Sequence, residues 1–294
     1  MTTHDHRDSR AGGPVSSGGG RDLMLRTASS AALAPVVLAI TYFGGWLFLG
    51  LCVVAAGGIL GEWTRLVTDR TEPRILGPGL AALLAAFAFT GLHQPGGAMV
   101  VIALGAALAA GLVGRPPGAN TGGGVWAAGG VIYAGIAFLS PALLRLDPEW
   151  GLTTLLFLFA IVWSTDIFAF LCGRALGGLL LWPGVSPNKT WAGAIGGLAG
   201  GIAGGLAVAY ASNLGTPVVA ALLALLLSAL AQAGDLFESA IKRRFGAKDA
   251  GRLIPGHGGL MDRLDGFLVA AFAALLIGVL RQGTDAPARG FLVW

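Results

Sequence analysis

The stretch TPVVAALLALLLSALAQA, residues 216–233, contains no charged side chain and is followed at once by GDLFESAIKRR, residues 234–244. A helix that crosses a bilayer needs about 20 mostly apolar residues, with a range of about 17 to 25. We therefore predict that residues 216–233 span a membrane and end at a strongly polar segment. Other apolar stretches of similar length occur along the whole chain.

The composition of the 294 residues is typical of a membrane protein. Only 12% of them are Asp, Glu, Lys or Arg, whereas soluble domains carry about 25%. Hydrophobic residues make up 55%, too many for a solvated surface. These values exclude a soluble globule, an intrinsically disordered chain and a secreted disulfide scaffold. We expect an all-α polytopic integral membrane domain over residues 23–294, preceded by a disordered polar tail over residues 1–22.

Apolar runs without Lys or Arg predict about nine transmembrane helices. The first two are separated only by Gly44 and Gly45, and one helix across both would be about 52 Å long, so a tight helical hairpin is the better interpretation. The nine predicted spans are residues 27–43, 46–61, 75–92, 96–113, 123–144, 150–172, 191–211, 216–233 and 265–280.

The basic residues predict the orientation of these spans. With nine spans, the N-terminal tail lies on the same side as the loops after spans two, four, six and eight. Together these segments hold 16 of the 19 Lys and Arg residues. Cytoplasmic loops carry the excess of basic residues, so we expect the N-terminus and all the charged loops in the cytoplasm. The opposite side would hold only Arg145, Arg281 and Arg289.

The seventh predicted span carries a ladder of glycines that lets another helix approach closely. The neighbouring helix could belong to the same protomer or to a second copy in a homodimer, and the sequence leaves both open. The glycines are Gly193, Gly197, Gly201 and Gly205, with Gly196, Gly200 and Gly204 beside them.

Charged residues are concentrated in one segment, residues 235–265. Asp235, Ser239 and Lys242 follow each other at helical spacing and share one face. An acid at the end of a membrane span is costly without a partner, so it is a functional candidate. Asp262 and Asp265 share a face in the same way at the start of the last span. Asp235 and Asp262 could meet as hard oxygen ligands of the kind that Mg²⁺ prefers beside phosphate.

The same segment also contains groups that suit phosphate. Residues 255–259, PGHGG, allow the backbone to approach a ligand, and exposed N–H groups there could receive phosphate oxygens. Acids for a metal, cations and a Gly-rich turn together indicate phosphoryl or nucleotidyl transfer. The nearby cations are Lys242, Arg243, Arg244 and Lys248.

This segment resembles the signature of the bacterial phosphatidate cytidylyltransferases, also called CDP-diacylglycerol synthases. Residues 186–193, SPNKTWAG, are similar to that family's second motif, with Asn188 and Ala192 in place of its usual Lys and Glu. Residues 166–173, DIFAFLCG, resemble its aspartate-containing helix end. The signature positions are Ser239, Lys242, Arg243, Lys248, Asp249, His257, Gly258, Gly259, Asp262, Arg263 and Asp265.

The resemblance implies a nucleotidyltransferase of phospholipid biosynthesis that converts CTP and phosphatidic acid into CDP-diacylglycerol and pyrophosphate. It implies Mg²⁺ bound by Asp235 and Asp262, and leaves a second cation nearby open. The enzyme would be a multi-pass protein of the inner (plasma) membrane, with its active site at the cytoplasmic ends of the C-terminal helices. Its partners would be both substrates and membrane lipid but no nucleic acid, and a homodimer stays open.

The resemblance also assigns roles to individual residues. Asp166 could orient a metal ion or a lysine, or could simply pair with Arg174 or Lys189. The residues expected to be catalytic are Asp235, Asp262, Lys242, Lys248, Asp249, Arg263 and Asp265. Those expected to bind substrate are Ser239, Arg243, His257, Gly258, Gly259, Ser186, Lys189, Thr190 and Asp166.

Two alternative functions are open: one differs in its lipid substrate and the other in the class of protein. The same chemistry could act on another lipid phosphate, such as an isoprenoid ether phosphate, because the predicted lipid-facing surface is generic Leu, Ala and Gly. A transporter or lipid-binding scaffold would instead place charges near the bilayer midplane in several spans related by an internal repeat. Here the charges gather in one segment, and the pattern of residues 235–265 does not recur.

Overall fold

The computed structural model describes residues 33–113, 122–251 and 258–294. Apart from one small hairpin, the elements of these ranges are helices, which confirms the predicted all-α polytopic class. They are α1 (Leu33–Phe43), α2 (Gly45–Thr68), α3 (Pro73–Gly91), α4 (Pro95–Val113), α5 (Gly123–Arg145), α6 (Gly151–Leu176), β1 (Leu180–Trp182), β2 (Ser186–Thr190), α7 (Trp191–Ala211), α8 (Pro217–Arg244), α9 (Met261–Gln282) and α10 (Pro287–Leu292).

Eight of the nine predicted spans coincide with helices that are long and apolar enough to cross a membrane, α2 to α9. The predicted first span, residues 27–43, is helical in its described part, where α1 is shorter than a full span. The break between α1 and α2 falls at Gly44, as predicted, and both Gly44 and Gly45 adopt positive φ values of 65° and 56°. Residues 27–32, the tail over residues 1–22, Arg115, Arg252 and His257 lie outside the described residues.

The two helices that carry the polar segment extend further than the sequence predicted. α8 continues past residue 233 to Arg244, so Asp235 lies inside the helix and not at its end. α9 begins at Met261 and therefore includes Asp262 in its first turn. The helical spacing of Asp235, Ser239 and Lys242 is thus present along one continuous helix.

The antiparallel hairpin β1–β2 between α6 and α7 was missed by the sequence analysis. Leu180 pairs with Thr190 and Trp182 with Ser186. Strands of three and five residues, the second with a proline, are too short to show an alternating pattern. The hairpin places Lys189 and Thr190 at the start of α7.

The glycine ladder of α7 packs inside the protomer, which is one of the two alternatives left open by the sequence. A Cβ atom added at Gly201 would lie 2.6 Å from Thr165 Oγ1 on α6 and 2.7 Å from Ser228 Cβ on α8. One at Gly204 would lie 2.6 Å from the Ala160 carbonyl oxygen of α6. The other five glycines of the ladder also face α6 or α8 at distances that leave little room for a side chain.

Replacing Gly201 by alanine is expected to destabilise the protein by about 1–3 kcal/mol, because the added methyl group overpacks the contact of α7 with α6 and α8. The matched control is Gly50→Ala in α2, where a Cβ would meet no atom within 4 Å. Thermal unfolding in detergent micelles measures both. Equal melting temperatures for the two variants would contradict the tight packing of α7.

Two of the three arginines predicted on the sparsely charged side cap helix ends. Arg145 donates from Nε to the Thr41 carbonyl at 2.7 Å and from Nη2 to the Tyr42 carbonyl at 2.9 Å, at the end of α1. Arg281 donates to carbonyl oxygens of Gly290 and Val293 near α10. Unpaired carbonyls at a helix C-terminus attract cations, so these arginines have a structural reason to lie there.

Candidate active site

The hairpin and α8 contribute the first ion pair of the polar cluster. Lys189 Nζ, on β2, binds Asp235 Oδ2, on α8. Ser239 lies one turn after Asp235 and its Oγ is 3.5 Å from Asp235 Oδ1. The SPNKT motif and the C-terminal signature, which are separated by almost 50 residues in sequence, therefore meet in one place.

α8 and α9 contribute the second ion pair. Lys242 Nζ donates to Asp262 Oδ1 at 2.6 Å and lies 3.6 Å from Glu238 Oε1. The side chains of Lys242 and Asp262 are only 12% and 11% exposed, compared with 29% and 39% for Lys189 and Asp235. The second pair is thus the more deeply buried of the two.

Asp262 also organises the loop between α8 and α9. Its Oδ2 atom accepts hydrogen bonds from the backbone N–H groups of Ala250 at 3.1 Å and Gly259 at 3.0 Å. Gly258 has a φ of 86°, a left-handed conformation that favours glycine. Exposed N–H groups of this turn were expected to receive phosphate, but the N–H of Gly259 is already bonded to Asp262.

Two buried acids of the cluster were not predicted from the sequence. Glu62, on α2, accepts hydrogen bonds from the N–H groups of Leu260 at 2.9 Å and Met261 at 2.8 Å. Glu238, on α8, is 1% exposed, and within the described part of the chain neither carboxylate oxygen has an N–H or O–H donor. Its carboxyl group neighbours that of Asp265, on α9. Glu62 directly follows the predicted span 46–61 and Glu238 lies five residues after the span 216–233, so the cost of an unpartnered acid could have identified them too.

The remaining predicted site residues differ in their surroundings. Asp166 lies within electrostatic reach of Asp235 and Lys189, although Lys189 makes its ion pair with Asp235. Arg174, its other proposed structural partner, lies over the ring of Phe170. Lys248, Asp249 and Arg263 are exposed, Asp265 is half-buried, and Ser186 begins β2.

Two predicted substrate-binding side chains make structural contacts. Thr190 caps α7, since its Oγ1 accepts a hydrogen bond from the Gly193 N–H at 3.1 Å. Arg243 donates to the Val185 carbonyl at 3.5 Å and so ties the end of α8 to the hairpin turn. These contacts leave their roles in substrate binding as predictions.

The donor set fits a divalent cation that is completed by substrate. In the described ranges, no three His, Cys, Asp or Glu side chains are arranged to hold a metal ion by themselves. Mg²⁺ in nucleotide enzymes typically takes one or two carboxylates together with substrate phosphates and water. Asp235 and Asp262 offer such oxygens, and the carboxyl groups of Glu238 and Asp265 lie in the same cluster. A concentration of carboxyl groups favours an added cation, because a nearby positive charge stabilises their ionised forms.

Comparison with known proteins points to one family. A family model described as the cytidylyltransferase family matches residues 24–280. The phosphatidate cytidylyltransferase of Brucella suis biovar 1 (strain 1330) is 43% identical over 274 residues, which cover 92% of this chain and 98% of that protein. The one from Brucella melitensis biotype 1 is 42% identical over the same shares of both chains. The phosphatidate cytidylyltransferase of Bacillus subtilis (strain 168) is 41% identical over 138 residues, 47% of this chain and 51% of that protein.

Proposed function

Since this chain belongs to the cytidylyltransferase family, we propose that it is a membrane-bound nucleotidyltransferase of phospholipid biosynthesis that joins CTP and phosphatidic acid. The products are CDP-diacylglycerol and pyrophosphate. The similarity to phosphatidate cytidylyltransferases over nearly the whole chain is the observation that carries this proposal. Three signature residues, Ser239, Lys242 and Asp262, lie in a cluster of cations and acids, which supports it further.

The reaction makes modest demands on acid–base chemistry. A phosphate oxygen of phosphatidic acid, already ionised at neutral pH, attacks the α-phosphorus of CTP and forms a new P–O bond. The bond from that phosphorus to the bridging α–β oxygen breaks, and pyrophosphate leaves with its electron pair. Two anions must approach each other, so the main task of the protein is to position phosphates and neutralise their charge.

The ion pairs provide groups for that task. The ammonium groups of Lys189 and Lys242, which here contact Asp235 and Asp262, are suited to bind substrate phosphates. Mg²⁺ held by Asp235 and Asp262 would supply positive charge beside the phosphates of CTP. Asp166, Ser239, Arg243, Lys248, Asp249, Arg263, Asp265 and the loop of Gly258 and Gly259 would complete the site.

The orientation of the chain follows from the charge distribution. We place the N-terminus and the polar cluster on the cytoplasmic side of the inner membrane, where CTP is available, because most basic residues lie on that side of the predicted topology. The exposed Trp182 lies in the hairpin that carries Lys189, and the exposed Trp191 directly follows this hairpin. Tryptophan is enriched at membrane interfaces, which suits a site that takes its lipid substrate sideways from the bilayer.

Purified protein in mixed micelles with labelled CTP, phosphatidic acid and Mg²⁺ is expected to form labelled CDP-diacylglycerol, and EDTA is expected to abolish product formation. The Brucella suis relative serves as the positive control. Absence of product from this chain while the relative is active would contradict the proposal. A parallel reaction with an isoprenoid ether phosphate tests the second lipid class, and preference for that lipid would overturn phosphatidic acid as the substrate.

A further inference from the structure

We propose that Glu62, on α2, is a positioning residue that holds the first turn of α9 so that Asp262 keeps its place in the cation-binding cluster. This inference rests on the proposed function only in that Asp262 is taken as a ligand of the divalent cation. It gives the N-terminal helices a part in the site, in addition to anchoring the protein in the membrane.

α9 has no cap of its own. Its N-cap position is Leu260, which has no side-chain acceptor, and a helix start leaves up to four N–H groups without an intrahelical partner. Glu62 fills this gap from almost 200 residues away in sequence, because its two carboxylate oxygens accept from the Leu260 and Met261 N–H groups at 2.9 Å and 2.8 Å. A negative charge at this position also complements the positive end of the helix dipole.

The carboxylates of Glu62 and Asp262 converge on the same glycine. A Cβ atom at Gly259 would lie 2.8 Å from Asp262 Oδ2 and 2.9 Å from Glu62 Oε2. A Cβ atom at Gly251, on the other limb of the loop, would lie 2.5 Å from Glu62 Oε1. Both limbs of the loop thus run against Glu62, and Asp262 bridges them through its contacts with Ala250 and Gly259.

The burial of Glu62 argues that its position is tightly fixed. The residue is 0% exposed, and a buried carboxylate is costly unless strong hydrogen bonds compensate it. Its two bonds go to the residues immediately before Asp262. Any retreat of Glu62 would release the N–H groups of Leu260 and Met261 and allow the first turn of α9 to shift, carrying Asp262 away from Lys242 and the loop.

The test compares the wild-type full-length protein with Glu62→Gln, in which one acceptor oxygen becomes an amide that faces a backbone N–H. The matched control is Glu72→Gln, because Glu72 also caps a helix, α3, by accepting from the Arg74 N–H at 3.4 Å, and its side chain, which is 13% exposed, forms an ion pair with Arg70. Two quantities are measured in micelles: hydrogen exchange of the peptide that contains residues 259–262, and the Kd for Mn²⁺ from the electron paramagnetic resonance signal of free Mn²⁺, without CTP because its triphosphate would itself bind the ion.

We expect Glu62→Gln to accelerate hydrogen exchange in this peptide and to raise the Kd for Mn²⁺ about tenfold. A loss of this size is typical when a residue that orients a metal ligand, without contacting the metal, is replaced. Glu72→Gln should match the wild type in both. Unchanged exchange, or faster exchange with an unchanged Kd, would overturn the proposal. If Glu62→Gln fails to fold, Glu62→Asp keeps the charge but shortens the side chain, and the same two readings decide. Neither reading needs turnover, so absence of CDP-diacylglycerol formation would count against the proposed function alone.

Discussion

Replacing Asp262 by asparagine is expected to lower the rate of CDP-diacylglycerol formation by about a thousandfold, the loss typical of removing a group that stabilises charge in the transition state. Asparagine has nearly the same size and keeps one acceptor oxygen, and Lys242 still has the Glu238 carboxyl group 3.6 Å away, so the fold should persist. It lacks the negative charge that contacts Lys242 at 2.6 Å and that would bind the cation. The initial rate with labelled CTP at saturating Mg²⁺ measures the effect.

The control for this variant is Asp285→Asn, which makes the same chemical change at an exposed residue between α9 and α10. We expect it to retain wild-type activity. Melting temperatures in micelles within a few degrees of wild type for both variants would separate a catalytic effect from unfolding. Near-normal activity of Asp262→Asn would remove Asp262 from the catalytic residues.

The apolar runs of the sequence predicted the fold well because each membrane span is recognisable from its own composition. A run of about 20 apolar residues must cross the bilayer as a helix, whatever its neighbours do. Residues 216–233 therefore predicted α8 from local composition alone. The prediction ended that helix too early, because polar residues at the end of a span can continue a helix beyond the bilayer, as residues 234–244 do in α8.

The candidate site was only partly predictable because its contacts join distant segments. Helical spacing placed Asp235, Ser239 and Lys242 on one face, and the structure has this arrangement. Nothing in the local pattern pairs Lys189 with Asp235, or brings Glu62 to the start of α9. Such contacts depend on how α2, the hairpin and α9 pack around α8. The local pattern of a single sequence does not show which distant segments become neighbours.

Replacing Lys242 by methionine is expected to reduce stability by about 3–5 kcal/mol, the cost of breaking a buried ion pair by removing one partner. Methionine fills a similar volume but leaves Asp262 and Glu238 without the cation that lies 2.6 Å and 3.6 Å from them. Activity should fall as well, since Lys242 is proposed to bind phosphate. Thermal unfolding in micelles at low ionic strength measures the stability change.

The corresponding change at the other ion pair is the informative comparison. Lys189→Met removes the same charge from a pair that is 29% and 39% exposed, and such pairs contribute about 0–1 kcal/mol. If burial decides how much stability is lost, the melting temperature of Lys242→Met must therefore lie well below that of Lys189→Met. Equal melting temperatures would contradict this account.

A double variant tests whether the cost comes from unbalanced negative charge. Adding Glu238→Gln to Lys242→Met removes one of the two carboxylates that Lys242 compensates, so we expect the double variant to be more stable than Lys242→Met alone. Simple addition of two losses would mean instead that Glu238 and Lys242 stabilise the protein independently. Recovery of stability without recovery of activity is the expected result, because the lost ammonium group would still be missing from the site where we propose that it binds phosphate.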